Sequence, residues 1–165
     1  MKDVYTLDDL KSRDLLDSGS PDKPARLAVI GHPINHSLSP QLHQPALNAA
    51  GLHMRYIRLE VEPLHVTEAL HRLRDLDFIG TNVTVPHKFE ALSACDEVSS
   101  EANVLGAVNT VLFEEGQSLG FNTDGPGIVR AMREEFSVDL KDMRVMIVGA
   151  GGGAGQAIAA QCALE

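Results

Sequence analysis

The sequence predicts an α/β fold with a mainly parallel sheet flanked by helices, and three observations carry that reading. Short apolar runs bounded by glycine or proline alternate with segments of helical period along most of the chain. Helix start and stop signals fall between those runs, as at Ser39-Pro40 and Gly51. Near the end, a β-rich run passes through a cluster of glycines into a helix-forming stretch.

The elements follow in order. Residues 6–16 suit a short helix, with Thr6 and Asp9 spaced as a capping box. The run Ser18-Gly19-Ser20-Pro21-Asp22-Lys23-Pro24 reads as a linker, so residues 1–25 are expected to be a peripheral extension. Leu27-Ala28-Val29-Ile30, ended by Gly31, reads as a buried strand. Ser39 as N-cap and Pro40 at the first helical position open a helix that runs to about Ala50. Residues 56–61 alternate as a strand, 63–76 carry Leu64, Ala69, Leu70 and Leu73 near helical spacing, and 78–85 form the next strand. Pro86 opens another helix. Residues 107–121 contain two β-rich runs around Glu115-Gly116, which predicts a hairpin; 125–136 are helical, and 144–148 form a strand.

Composition excludes several classes. Fourteen basic against twenty-three acidic residues give a net charge of −9, which repels nucleic acid and anionic lipid. An anionic small molecule must therefore be captured by a local cluster of donors. The uncharged stretch 145–164 holds five glycines and two glutamines, a poor bilayer span and a good strand–turn–helix. The first ten residues carry Lys2, Asp3, Asp8 and Asp9, which no signal peptide would. Cys95 and Cys162 read as small buried hydrophobes of a reducing compartment. A soluble cytoplasmic protein is expected, with no membrane or nucleic-acid partner; the sequence carries no signal for an oligomeric state.

Five motifs could carry chemistry. In His36-Ser37-Leu38-Ser39-Pro40, two hydroxyls stand beside the free amides of a helix N-terminus, a natural carboxylate cradle. Ser39 serves equally as a plain helix cap. In Gly80-Thr81-Asn82-Val83-Thr84-Val85-Pro86-His87-Lys88, the C-terminal end of a strand delivers polar residues to the edge where α/β sheets place their sites. Lys88 stands in a helix's first turn, against the dipole's preference for anions; a solvated surface lysine is the plain alternative. Asn109, in Gly106-Ala107-Val108-Asn109-Thr110, could bring an amide to the same cleft. Asp124, in Gly120-Phe121-Asn122-Thr123-Asp124-Gly125, is either a site carboxylate or the cap of the following helix. The fifth motif, Gly149-Ala150-Gly151-Gly152-Gly153-Ala154-Gly155, lies between a strand and a helix, as a nucleotide-binding turn does. These glycines do not separate NAD, NADP and FAD. A metal site built from His32, His36 and His43 lacks an accompanying carboxylate cluster, so no metal is expected.

In this order and spacing, the five motifs resemble the shikimate dehydrogenase family over roughly residues 26–160. The resemblance implies a shikimate-binding catalytic domain at 26–124, then the beginning of a Rossmann domain at 125–165. It implies reversible NADP-linked reduction of 3-dehydroshikimate to shikimate, with NAD as the other possible cofactor. Ser37 and Ser39 would hold the substrate carboxylate. Thr84, Asn109 and Asp124 would bind the ring hydroxyls, with Asn82 nearby. Lys88 would carry the proton, paired with Asp124, and Gly149, Ala150, Gly151, Gly152, Gly153 and Ala154 would take the dinucleotide phosphates.

The sequence departs from the family at Gln44, where relatives often have asparagine, and in an extra glycine in the turn. Gly155-Gln156 stands where relatives often carry a basic residue, which bears on NADP preference. Only 41 residues follow Asp124, against roughly 100–150 for a whole nucleotide-binding domain. The expectation is a chain that binds substrate without turning it over alone. A quinate/shikimate dehydrogenase and a non-catalytic shikimate-binding module are the other readings.

Overall fold

The computed structural model describes residues 2–165. Strands are β1 (Val4–Thr6), β2 (Ala25–Gly31), β3 (Arg55–Glu60), β4 (Gly80–Val83), β5 (Glu97–Val98), β6 (Thr110–Glu114) and β7 (Gln117–Phe121). Helices are α1 (Arg13–Asp17), α2 (Ser39–Ala49), α3 (Val66–Asp75), α4 (Lys88–Ala94), α5 (Ser100–Leu105), α6 (Asp124–Phe136) and α7 (Gly153–Leu164). The strands form one sheet of order β1-β3-β2-β4-β6-β7-β5. It is parallel at β1–β3, β3–β2, β2–β4 and β7–β5, and antiparallel at β4–β6 and β6–β7.

Alternation along β3 divides the molecule into two layers, because successive side chains point to opposite faces. Ile57, Leu59 and Val61 enter the main core with Val66, Ala69, Leu70 and Leu73 of α3, Ala91 of α4 and Ala102 of α5. Leu59, Leu70 and Leu73 are fully buried, each worth about 1.5–3 kcal/mol relative to exposure. Tyr56 faces the other way, onto Val29 and Ile34, with Leu47 of α2 packed against them. The polar members of that second face build the site.

Several local expectations are corrected. The described part of the 1–25 segment, residues 2–25, is not peripheral: β1 is an edge strand on β3, and Tyr5, Leu10 and Leu16 are buried in the main core. Residues 6–16 form a 3-10 turn and α1 rather than one helix, although the Asp9 carboxylate does accept the Thr6 N–H at 2.7 Å. Ser39 is the first residue of α2, and the N-cap position is Leu38. The hairpin turn is where it was expected, with Glu115 (φ 51°) and Gly116 (φ 77°) both left-handed, the geometry of a tight two-residue β-turn.

The expected strand at 144–148 makes no ladder among the described residues. A strand is held by its neighbours' backbone groups, and none of the described strands pairs with this segment. Met146 and Val148 are exposed as a result. No described helix is long and apolar enough to cross a membrane.

Candidate functional site

The serine loop leaves β2 at Gly31 and enters α2 at Ser39. With Leu38 in the capping position and no side-chain cap present, the Ser39 hydroxyl is not spent on the helix. Ser37 Oγ donates to Ser39 Oγ at 3.2 Å and accepts the Ser39 N–H at 3.3 Å, so the two hydroxyls stand side by side.

Beside this pair, a chain of hydrogen bonds runs over the strand ends. It starts at the Tyr56 phenol, which the Ser39 side chain faces: Tyr56 Oη donates to Asn82 Oδ1 at 2.6 Å. Burial pushes the phenol's pKa up, so it stays a protonated donor. Asn82 Nδ2 donates to Thr110 Oγ1 at 3.3 Å, and Thr110 donates to Asn109 Oδ1 at 3.0 Å. Asn109 Nδ2 then donates to Asp124 Oδ1 at 2.8 Å, and Asp124 Oδ2 accepts from Lys88 Nζ at 2.5 Å. Of the sequence-predicted substrate residues, Asn82, Asn109, Asp124 and Lys88 are members of one connected network, and Ser37 and Ser39 form a bonded pair beside its Tyr56 end. Thr84 is not: its Cγ2 packs over Gly31, where a Cβ would stand only 2.7 Å away, and its hydroxyl has no protein partner among the described residues.

Lys88 is buried although it opens α4. A helix N-terminus disfavours a cation, and the carboxylate opposite compensates. Asp124 is the first residue of α6 but does not cap it. That work falls to Asn122, whose Oδ1 accepts the Asp124 N–H at 2.9 Å and the Gly125 N–H at 3.4 Å. Asn122 Nδ2 donates to the Ala107 carbonyl at 2.8 Å. The Asp124 carboxylate is thereby free for Lys88 and Asn109.

The glycine turn approaches Lys88 directly. Gly149 is left-handed (φ 88°), Ala150 and Gly151 complete the turn, Gly152 is the N-cap of α7, and Gly153 and Ala154 are its first residues. A Cβ on Gly155 would stand 2.2 Å from the Gly149 carbonyl oxygen, so the turn closes only on glycine there. The space beside Gly151 is open, which leaves backbone and the unpaired N–H groups of α7 accessible to a phosphate. These residues fit a dinucleotide's pyrophosphate. A 160 Å³ cavity lies between the turn and Lys88, lined by Val85, Pro86, Lys88, Phe89, Gly152 and Gly153.

His32, His36 and His43 go separate ways. His32 Nδ1 lies 2.8 Å from Glu60 Oε1 without hydrogen-bond alignment, His36 meets Asn35, and His43 stacks on Tyr56 with centroids 4.5 Å apart. No group of three or more metal-ligating side chains occurs among the described residues. Cys95 and Cys162 are half-buried, and burial pushes the Cys95 thiol up to about 11.

Sequence reasoning missed Tyr56, Arg58 and Asn122. The first two were signalled by polar residues alternating along a strand of a mainly parallel sheet, where both faces are normally apolar. Arg58 donates from Nε to the Ser37 carbonyl at 2.8 Å, directly beneath the serine pair.

The family model described as shikimate dehydrogenase substrate binding domain matches residues 29–111. A shikimate dehydrogenase (NADP(+)) of Methanopyrus kandleri is 44% identical over 128 residues, covering 78% of this chain and 44% of the relative. The crystal structure of shikimate 5-dehydrogenase from Thermus thermophilus, in complex with NADP(H) and shikimate, superposes with a TM-score of 0.76 at 42% identity. That match covers 85% of this chain and 52% of the other. The ligand-free 5-ketofructose reductase of a Gluconobacter strain superposes with a TM-score of 0.74 at 31% identity, covering 84% of this chain and 49% of the other. The chain thus spans about half the length of the proteins it matches.

Proposed function

The chain belongs to the shikimate dehydrogenase family, and from that premise we propose that it supplies the substrate site and acid–base pair of an NADP-linked shikimate dehydrogenase in a soluble, cytoplasmic setting. The observation that carries this reading is the network that runs from Tyr56, beside the Ser37–Ser39 pair, to the Lys88–Asp124 pair. It offers hydroxyl and amide donors for a carboxylate at one end and a charged proton carrier at the other, with polar groups for ring hydroxyls between. Shikimate has that sequence of groups.

In the proposed reaction, the Ser37 and Ser39 hydroxyls and the N-terminal amides of α2 hold the carboxylate. Asn109, Asp124 and the unpartnered Thr84 hydroxyl take the ring hydroxyls. NADPH held along residues 149–154 would supply a hydride to the ring ketone. Lys88 then stabilises the charge developing on the ketone oxygen and delivers a proton to it. Asp124, 2.5 Å from the ammonium, fixes its direction of approach. In the oxidative direction, the same pair receives the proton from the hydroxyl.

Calorimetric titration of the chain with shikimate, quinate and 5-ketofructose tests the proposal. Initial rates with shikimate and NADP⁺ or NAD⁺ accompany it. Shikimate binding lost on Asn109→Ala supports the reading. Binding of 5-ketofructose in preference to shikimate would replace it with a ketose-reductase reading, and preference for quinate would move it to the quinate/shikimate branch.

A further inference from the structure

We infer that Arg58 is a positioning residue for the substrate carboxylate, acting through the serine loop; the inference rests on the proposed shikimate site. Arg58 lies on the site face of β3, beside Val29 of β2 in register. Its side chain is almost fully buried, and each of its nitrogens is engaged by the protein. Nε donates to the Ser37 carbonyl at 2.8 Å, Nη2 donates to Gln41 Oε1 at 2.9 Å, and Nη1 donates to Asp3 Oδ1 at 2.8 Å.

Ser37 precedes Ser39 and Gln41 follows it, so one rigid planar group grips the cradle on both sides. A second tie from the same strand holds the loop's start, where Glu60 Oε2 accepts the Ile34 N–H at 2.8 Å. Arg58 also brings positive charge beneath an anion site in a chain of net charge −9. Its counter-charge, Asp3, is 81% exposed, so water screens that carboxylate far more than it screens the guanidinium. The cradle is thus shaped and polarised from below without the cation touching the ligand.

Calorimetry on the whole chain compares shikimate with its methyl ester, which keeps the ring and hydroxyls but lacks the anionic carboxylate. Arg58→Met should weaken shikimate about tenfold, equivalent to about 1.4 kcal/mol, and the ester far less. Arg58→Lys should restore part of the loss, and Asp3→Ala should leave both ligands unaffected. Gln41→Met removes one arm of the clamp while keeping the guanidinium and its other two partners, and should weaken shikimate selectively by a smaller factor if Arg58→Met does not fold. Equal weakening of both ligands would make Arg58 a general structural residue and overturn the inference. Unchanged shikimate affinity in Arg58→Met would overturn it too, with the proposed function intact. A wild-type chain that ignores shikimate would overturn both.

Discussion

Gly153 and Lys88 are in contact: a Cβ built on Gly153 would stand 2.9 Å from Lys88 Cβ, 3.1 Å from Cδ and 3.4 Å from Cγ. The third glycine of the triplet is therefore required by the lysine stem, independently of any phosphate. The nearest atom is bound to the backbone of α4 and cannot swing aside. Gly153→Ala should lower stability by about 1–3 kcal/mol through overpacking, read by urea denaturation. Gly151→Ala, with open space around it, should be within about 0.5 kcal/mol of the parent. Equal effects of the two would mean that α7 does not press on Lys88.

The Lys88–Asp124 pair should split affinity from rate. Where turnover with shikimate and NADP⁺ is measured, Lys88→Ala should lower kcat about 10²–10⁴-fold, the usual range for a positioned proton carrier. The dissociation constant for shikimate should change little. An unchanged kcat would remove Lys88 from the chemistry.

Asn122 is buried and holds three backbone contacts at the junction of β7 and α6. Asn122→Ala strips the first turn of α6 of its acceptor and leaves the Ala107 carbonyl without its donor. The expected cost is about 1–3 kcal/mol, seen as a lower Tm. Shikimate affinity should fall as well, because Asp124 is placed by that turn. Asp124→Asn, which keeps the shape, should lower affinity without the same loss of Tm.

His87 links stability to pH. Its Nε2–H donates to the Val61 carbonyl at 2.7 Å, and the ring is 1% exposed. Burial lowers its pKa below the ordinary 6.5, outweighing the Val61 hydrogen bond and the nearby Glu90 and Glu60 charges, while His32 adds to the lowering. The unfolded chain thus takes up this proton first as pH falls. Stability should be full above about 6.5 and decline below it, by at most about 1.4 kcal/mol per pH unit. His87→Gln should flatten the profile between about pH 7 and 5. The lowered carboxylates Asp9 and Asp96 act in a separate window, below their ordinary 3.8.

Much of this was legible in the sequence, for identifiable reasons. Apolar runs ended by glycine or proline located β2, β3 and β4, and Glu115-Gly116 located the hairpin, because these signals are local. Burial of Tyr5, Leu10 and Leu16 was not legible: β1 needs the edge of β3, a partner more than fifty residues away in sequence. The site residues on motif peaks, Lys88, Asn109 and Asp124, came together as expected. Arg58, Tyr56 and Asn122 did not stand out because each acts through another residue's backbone or side chain. The strand at 144–148 shows the converse case, in which local preference is strong and no ladder partner is present.

The polar network crosses the sheet from β3 over β2 to β4 and β6, and adjacent strands stand about 4.8 Å apart. Tyr56, reaching over β2 to Asn82, spans two of those steps, roughly 10 Å, with one ring. The separation between the Ser37–Ser39 pair and the Lys88–Asp124 pair is therefore a ruler graduated in backbone hydrogen bonds. In the proposed site, loops would change what decorates a bound ring, and only a change in the sheet itself would change the length of ligand admitted.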